Sequence, residues 1–464
     1  MKKLILFLIL VLSIGGCVSK RGEISEGIPG EGTETQLPVE EIVREMPEQP
    51  EEDAVKEPPA PETARTEASE ETDWPTFHGN PARTGFSASA APSKPGVLWK
   101  WALDDLSKAG VDNFDFGWTI IDDDKVFLAM GNIFAIDLKT GKEAWSYSGE
   151  DNFYPMGLTA GDKKIFATVN DDDNLDTISA GHVYALDENT GKFLWKFKTE
   201  KGVPYSLPLW ADDNVFVGDN SGQVYAIDGD SGELKWKRRL EGAIVIHSSP
   251  AFEGGMIFIG TEASVGPKNV PSYLYALDAK SGEVKWKYGI DVVSGKLNLI
   301  HSAPSVSDGV VYVGAENGYF YALSSKDGGL IWKQKIASGA GELIGTSAAA
   351  AIGYGKVFIG IHEGKFLALD QKNGEVIWEY PIGKGERDSS AVLADGEVCF
   401  GAGSYFYCFS EADGTLIWKE RLGGSSGALA SGILIVQNRL IDDSPQPQTA
   451  AVVAFSDEGE FSLG

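Results

Sequence analysis

The sequence predicts an all-β chain folded as an eight-bladed β-propeller of four-stranded antiparallel blades. Three observations carry this reading. A tryptophan recurs as Trp99, Trp145, Trp195, Trp236, Trp286, Trp332, Trp378 and Trp418, at spacings of 46, 50, 41, 50, 46, 46 and 40. Each interval holds short apolar runs separated by Gly, Asn and Asp turns. The two ends of the repeat region are fragments that complete one another. A period of this size marks units that bury a core only by stacking on their neighbours.

Residues 301–333 show the unit. Ala303-Pro304-Ser305-Val306 predicts a first strand and Val310-Val311-Tyr312-Val313-Gly314 a second. The turn Ala315-Glu316-Asn317-Gly318 leads to a third, Tyr319-Phe320-Tyr321-Ala322-Leu323. Lys326-Asp327-Gly328-Gly329 turns the chain into a fourth, Leu330-Ile331-Trp332-Lys333. β-Branched and aromatic runs of this length between turn residues are strands joined by hairpins, and four antiparallel strands make a propeller blade. The tryptophan of the fourth strand is expected between adjacent blades. Asp137, Asp187, Asp228, Asp278 and Asp370, each opening a Gly turn, are expected to hydrogen-bond their own backbone, with Ser324 and Ser410 in that place in two copies.

After Trp418 the chain supplies three more strands, Gly427–Leu429, Ile433–Val436 and Ala451–Phe455, and no further tryptophan. The strand Val97-Leu98-Trp99-Lys100 has a tryptophan and no strands before it. Joining the two ends makes the eighth blade and closes the ring, removing edges that invite aggregation. Seven blades would leave both pieces orphaned.

The front end has a different character. Met1-Lys2-Lys3 is basic, and Leu4–Ile14 is an apolar run too short to span a membrane as a permanent helix. Gly15-Gly16-Cys17 resembles a lipobox, so residues 1–17 are expected to be a lipoprotein signal with Cys17 lipidated. Ordinary signal cleavage, with Cys17 incidental, is the alternative. Residues 18–73 carry 17 acidic and 5 basic side chains and no aromatic residue. Such a segment cannot bury enough apolar surface to offset its ordering entropy, and is expected to be a disordered acidic tether before a propeller at 74–464.

The net charge is −28, of which −18 belongs to residues 74–464. An acidic propeller argues against nucleic acid and against adhesion to anionic lipid, leaving the lipid anchor as the membrane contact. Cys399 and Cys408 lie in the second and third strands of one blade, where a cross-strand disulfide and two buried thiols are both open. Asp171-Asp172-Asp173-Asn174-Leu175-Asp176 is expected to be a solvated loop, since its spacing is not that of an EF-hand. The insertion Ala263–Pro271 is a candidate for partner contact.

Polar chemistry gathers in one column, the residue just before each first strand. It reads Phe116, Pro155, Tyr205, His247, His301, about Gly345, Asp388 and Gly424. The first strand of a blade lines the central channel, so this column rings one mouth. Tyr205, His247, His301 and Asp388 form a candidate ligand or cation pocket there. The plainer alternative is that both histidines only bond strand-start backbone. Zinc between them needs a third ligand that the spacing does not identify. No nucleophile or phosphate-loop motif stands out.

The motif Tyr-Ala-Leu-Asp-x-x-x-Gly-x-x-x-Trp resembles pyrroloquinoline-quinone-type (PQQ-like) propeller repeats, and the resemblance covers residues 74–464. It includes the lead-in Trp74-Pro75-Thr76-Phe77-His78-Gly79-Asn80-Pro81-Ala82-Arg83-Thr84-Gly85, which is similar to the segment before the first blade in such proteins. The resemblance implies the fold strongly and the function weakly. Such repeats occur in quinoprotein dehydrogenases, in sensor domains and in the propeller lipoprotein of the outer-membrane barrel assembly machinery. With the lipobox and tether, it implies a monomeric, lipid-anchored, extracytoplasmic, noncatalytic scaffold for other envelope or surface proteins. The long acidic tether departs from the usual layout of the assembly lipoprotein. The other readings are a sensor or ligand-binding module and a dehydrogenase holding PQQ and Ca2+ on the axis. Dehydrogenases of that family often seat the cofactor against a disulfide of adjacent cysteines, which this chain lacks. No cofactor is therefore expected.

Overall fold

The computed structural model describes residues 73–93, 95–102, 118–149, 153–171, 180–203, 205–243, 246–263, 270–383, 389–422, 426–439 and 450–459. Cys17, the tether up to residue 72, Asp388 and most of the Asp171–Asp176 and Ala263–Pro271 loops lie outside them. The described residues form eight four-stranded antiparallel sheets and no helix. Seven sheets take their strands in chain order. The eighth has the order Gly96–Ala102, Ala450–Ser456, Ile433–Arg439, Gly427–Ala430, so the N-terminal strand completes the C-terminal blade. The predicted closure is thus the one found. First strands of neighbouring blades touch around the axis, and Ile120–Asp122 of the first blade meets Gly427–Ala430 of the last.

The repeat motif is a blade-to-blade latch. Trp145, Trp236 and Trp332 donate their indole N–H to the carbonyls of Glu188, Ala279 and Gln371 at 2.9, 2.8 and 3.0 Å. Each acceptor directly follows the turn-opening Asp of the next blade. Each ring lies over that blade's turn glycine: a Cβ on Gly374 would come 2.5 Å from Trp332 Cε3, and its φ is +77°. Glycine is required there on both counts. The turn aspartates behave as expected. Asp137 Oδ1 accepts from the Thr140 amide at 2.8 Å and its hydroxyl at 2.7 Å, and Asp278 does the same with Ser281. Trp99, on the closing strand, donates to Leu138 of the first blade at 2.8 Å, so the seam is latched like any other interface.

A bulge recurs between third and fourth strands. In the third blade Ala226 pairs with Trp236 but Ile227 with Leu234, so Lys235 is the extra residue. The same shift singles out Ile331, Ile377 and Ile417 in the fifth, sixth and seventh blades. A bulge leaves its extra residue outside the ladder. On these outermost strands the three isoleucines are exposed, at 49, 46 and 42%.

The lead-in is built into the propeller. Trp74 pairs with Ile121, and the carbonyls of Pro75, Pro81, Ala82, Thr84 and Gly85 accept from Ala160, Phe252, Val306, Ile352 and Leu393. Those amides belong to the innermost strands of five blades. The segment therefore runs around the inside of the ring, donating little and accepting from one blade after another. Arg83 at its centre is completely buried, with its Nε and Nη1 donating to the carbonyls of Pro250 and Phe77 at 2.5 and 2.8 Å, and Nη2 3.5 Å from that of Pro208. Burial pushes its guanidinium down to about 9, which leaves it charged at neutral pH. His78 is also buried, with Nδ1 2.6 Å from the Arg83 carbonyl and Nε2 2.9 Å from that of Ala391. Burial, with help from the Arg83 charge, pushes it down to about 4 against the pull of those two carbonyls, so at neutral pH it donates to one of them. The channel thus has a floor.

Candidate functional site at the channel mouth

Each first strand is preceded by a Pro in the third to fifth blades, and two residues before that Pro stands a serine that fixes the mouth. Ser206 and Ser248 accept from the amides of Gly218 and Gly260, which end the second strands, at 3.0 and 3.1 Å. Ser302 donates to the Gly314 carbonyl at 2.9 Å, and Ser248 donates to the Ser302 carbonyl at 2.9 Å. These bonds pin the residue before each serine: Tyr205, His247 and His301.

The structure brings these three together. The His247 and His301 rings stack with centroids 5.0 Å apart and planes 27° apart. Tyr205 meets them edge-on at 4.8 and 5.9 Å. Asp388, read into the same pocket, lies outside the described residues. The sixth-blade member needs a correction. Ser347, not Gly345, stands as far before its second-strand glycine, Gly360, as His301 does before Gly314. The run Ser347–Ala350 carries no Pro to mark the register. Ser347 Oγ lies 3.4 Å from His362 Nε2.

Two carboxylates complete the cluster, and the column missed both. Glu262 and Glu316 each lie two residues beyond the glycine that ends a second strand, Gly260 and Gly314, in the same two blades that carry the histidines. An antiparallel hairpin puts the end of its second strand beside the start of its first, so the two columns face one another. Reading both columns together would have found them. Each glutamate is only 4% exposed. Glu262 Oε1 lies 2.8 Å from His247 Nδ1 and 3.8 Å from His301 Nε2, and Glu316 Oε1 lies 3.3 Å from His301 Nδ1. Burial raises the pKa of Glu262, but the two imidazoles outweigh it and hold the carboxyl below its usual range. Both atoms of the 2.8 Å contact are buried.

Cys399 and Cys408 face each other across the second and third strands of the seventh blade, with Cα atoms 4.1 Å apart and sulphurs bonded. Both are buried in the blade stack. The pair lies in a different blade from the two histidines and, as a disulfide, supplies no thiolate ligand.

A second titratable cluster sits at the opposite end of the blades, on the first hairpin. Burial, with the charges of Glu188 and Asp73, pushes Asp122 up to about 7. The folded chain therefore keeps a proton that the unfolded chain has lost. Stability falls as pH rises from about 4 to about 7 and then levels off. Asp122→Asn removes that loss. Its melting temperature is expected to match the parent near pH 4 and to exceed it at pH 8; a difference that does not change with pH would refute the assignment.

No curated protein sequence matches the chain. Among solved structures, the quinohemoprotein alcohol dehydrogenase of Comamonas testosteroni aligns with TM-score 0.68 at 16% identity, covering 86% of this chain and 82% of that one. The quinohemoprotein alcohol dehydrogenase ADHIIG of Pseudomonas putida HK5 aligns with TM-score 0.66 at 14% identity, covering 85 and 81%. BamB from Moraxella catarrhalis aligns with TM-score 0.59 at 17% identity, covering 78 and 99%. At such identities the likeness is one of fold. The family described as outer membrane protein assembly factor BamB matches residues 179–290 and 269–446, more than half of the sequence. The repeat latch, the closed ring of eight blades and this match agree, and the chain belongs to that family of PQQ-like propellers.

Proposed function

We propose that this propeller is a noncatalytic scaffold of the cell envelope, lipid-anchored through Cys17, that binds another envelope protein by its outer rim. The carrying observation is the row of bulge residues Ile331, Ile377 and Ile417 on consecutive blades, with Leu330 and Val376 beside the first two at 44% exposure each. Outer strands end their sheets and present unpaired backbone edges. An apolar row along such edges is a surface that a partner's strand or helix covers. Family membership supports an envelope setting, and the acidic surface keeps nucleic acid away.

The dehydrogenase reading meets a poor fit. PQQ carries carboxylates, and the mouth offers it the buried carboxylates Glu262 and Glu316, while the buried cation Arg83 is already bonded to carbonyls. The one disulfide among the described residues lies inside a blade. Native mass spectrometry and the visible spectrum after incubation with PQQ and Ca2+ are expected to show polypeptide alone; a stoichiometric quinone would overturn the scaffold reading. Photo-crosslinkers at Ile331 and Ile377 in intact cells are expected to capture one envelope protein, and Ile331→Lys with Ile377→Lys to abolish its co-purification. Unchanged co-purification would refute the rim as the contact.

A further inference from the structure

We infer that His247, Glu262 and His301 form a binding site for a divalent transition metal of the zinc class, with Glu316 orienting His301 from behind. The site does not depend on the scaffold reading. Its three candidate donor atoms all lie within 4.8 Å of one another. Tetrahedral zinc with bonds of about 2.0–2.1 Å places its ligand atoms roughly 3.3 Å apart. The observed 2.8 and 3.8 Å separations from Glu262 Oε1 bracket that value, and the two histidine nitrogens, no more than 4.8 Å apart, would close on the metal.

Two features favour a metal over a simple ion pair. Glu262 Oε1 is buried and stands between two imidazole nitrogens, 2.8 Å from His247 Nδ1 and 3.8 Å from His301 Nε2. A simple ion pair engages one imidazole at a time, whereas one cation engages all three donors. His301, meanwhile, turns Nε2 to the cluster and Nδ1 to Glu316. A carboxylate behind a ligating imidazole fixes its tautomer and raises its basicity. Two nitrogen donors select zinc-like ions over Ca2+ or Mg2+, which prefer oxygen. With three protein ligands, the fourth position is left for water or for a donor from a bound partner at the mouth. The serine network described above holds both histidines on rigid strand starts, as a preorganised site requires.

The test is a Zn2+ titration of the full chain, followed by calorimetry and native mass spectrometry. One equivalent is expected at micromolar affinity or tighter. Glu262→Gln, nearly isosteric, is expected to weaken it by at least about tenfold, and Glu316→Gln, which keeps all three ligands, by about tenfold. Zn2+ is also expected to raise the melting temperature of the parent and not of Glu262→Gln. If Glu262→Gln does not fold, His301→Gln and Glu316→Gln decide the matter. The inference falls if no saturable equivalent binds, or if the folded variants bind Zn2+ like the parent, which would place the metal on other acidic residues.

Discussion

Replacing Arg83 by alanine is expected to destabilise the propeller by about 3–5 kcal/mol, since it loses two or three charge-assisted hydrogen bonds worth about 1.5–3 kcal/mol each. The guanidinium is completely buried and joins two inner-strand approaches, at Pro250 and Pro208, to its own lead-in at Phe77. Its removal leaves those carbonyls without a donor, at about 1–3 kcal/mol for each group that water cannot reach. Part of the loss is offset, because the arginine itself was costly to dehydrate. Lysine is no substitute: one ammonium cannot span the same carbonyls in the fork of a guanidinium. Arg83 also sits at φ 55° and His78 at φ 64°, conformations that only their surroundings maintain. Denaturant melts of Arg83→Ala and Arg83→Lys, both well below the parent, are the expected result. A loss under about 1 kcal/mol would mean that water fills the place of the side chain and that the floor is not a structural keystone.

The lead-in shows where sequence reading stops. Its resemblance to the segment before other propellers is visible in Trp74–Gly85, but its role is not. The carbonyls that bind it to five blades belong to any peptide, and their partners lie from 85 to 308 residues away. The latch is the opposite case. Trp, the turn Asp and the turn Gly recur because each is required by side-chain chemistry at a fixed offset, so period and residue type sufficed. Ring closure was legible for the same reason: an orphan strand and an orphan three-strand sheet have one economical solution. The mouth falls between. Tyr205, His247 and His301 were found because one column was read across blades. Glu262 and Glu316 were missed because acidic residues are common in turns, and only the facing of the two hairpin columns distinguishes these from Asp122–Asp124. The bulge and the exposed row were not legible either, since Ile331 and Ile377 look like core residues until their strands are known to be outermost.

Trp332→Ala is expected to cost about 3–5 kcal/mol, the range for truncating a buried tryptophan. The ring is 8% exposed, packs with Tyr312 and Phe320 at centroid distances of 6.0 Å, and covers Gly374 of the next blade. Its loss opens a void between two blades that the stiff sheets cannot collapse to fill. It also takes from the Gln371 carbonyl the indole N–H it accepts at 3.0 Å, leaving the Tyr312 hydroxyl at 3.5 Å. Trp332→Phe separates these effects. It keeps most of the ring and loses the bond, so it is expected to cost about 1 kcal/mol from the hydrogen bond and somewhat more from the smaller ring. In a stack of repeats each interface supports only its neighbours, so the damage should be local first. Hydrogen exchange is expected to quicken in the fifth and sixth blades before the first and second. A Trp332→Ala protein that melts with the parent, or exchanges uniformly faster, would contradict the latch as the unit that joins blade to blade.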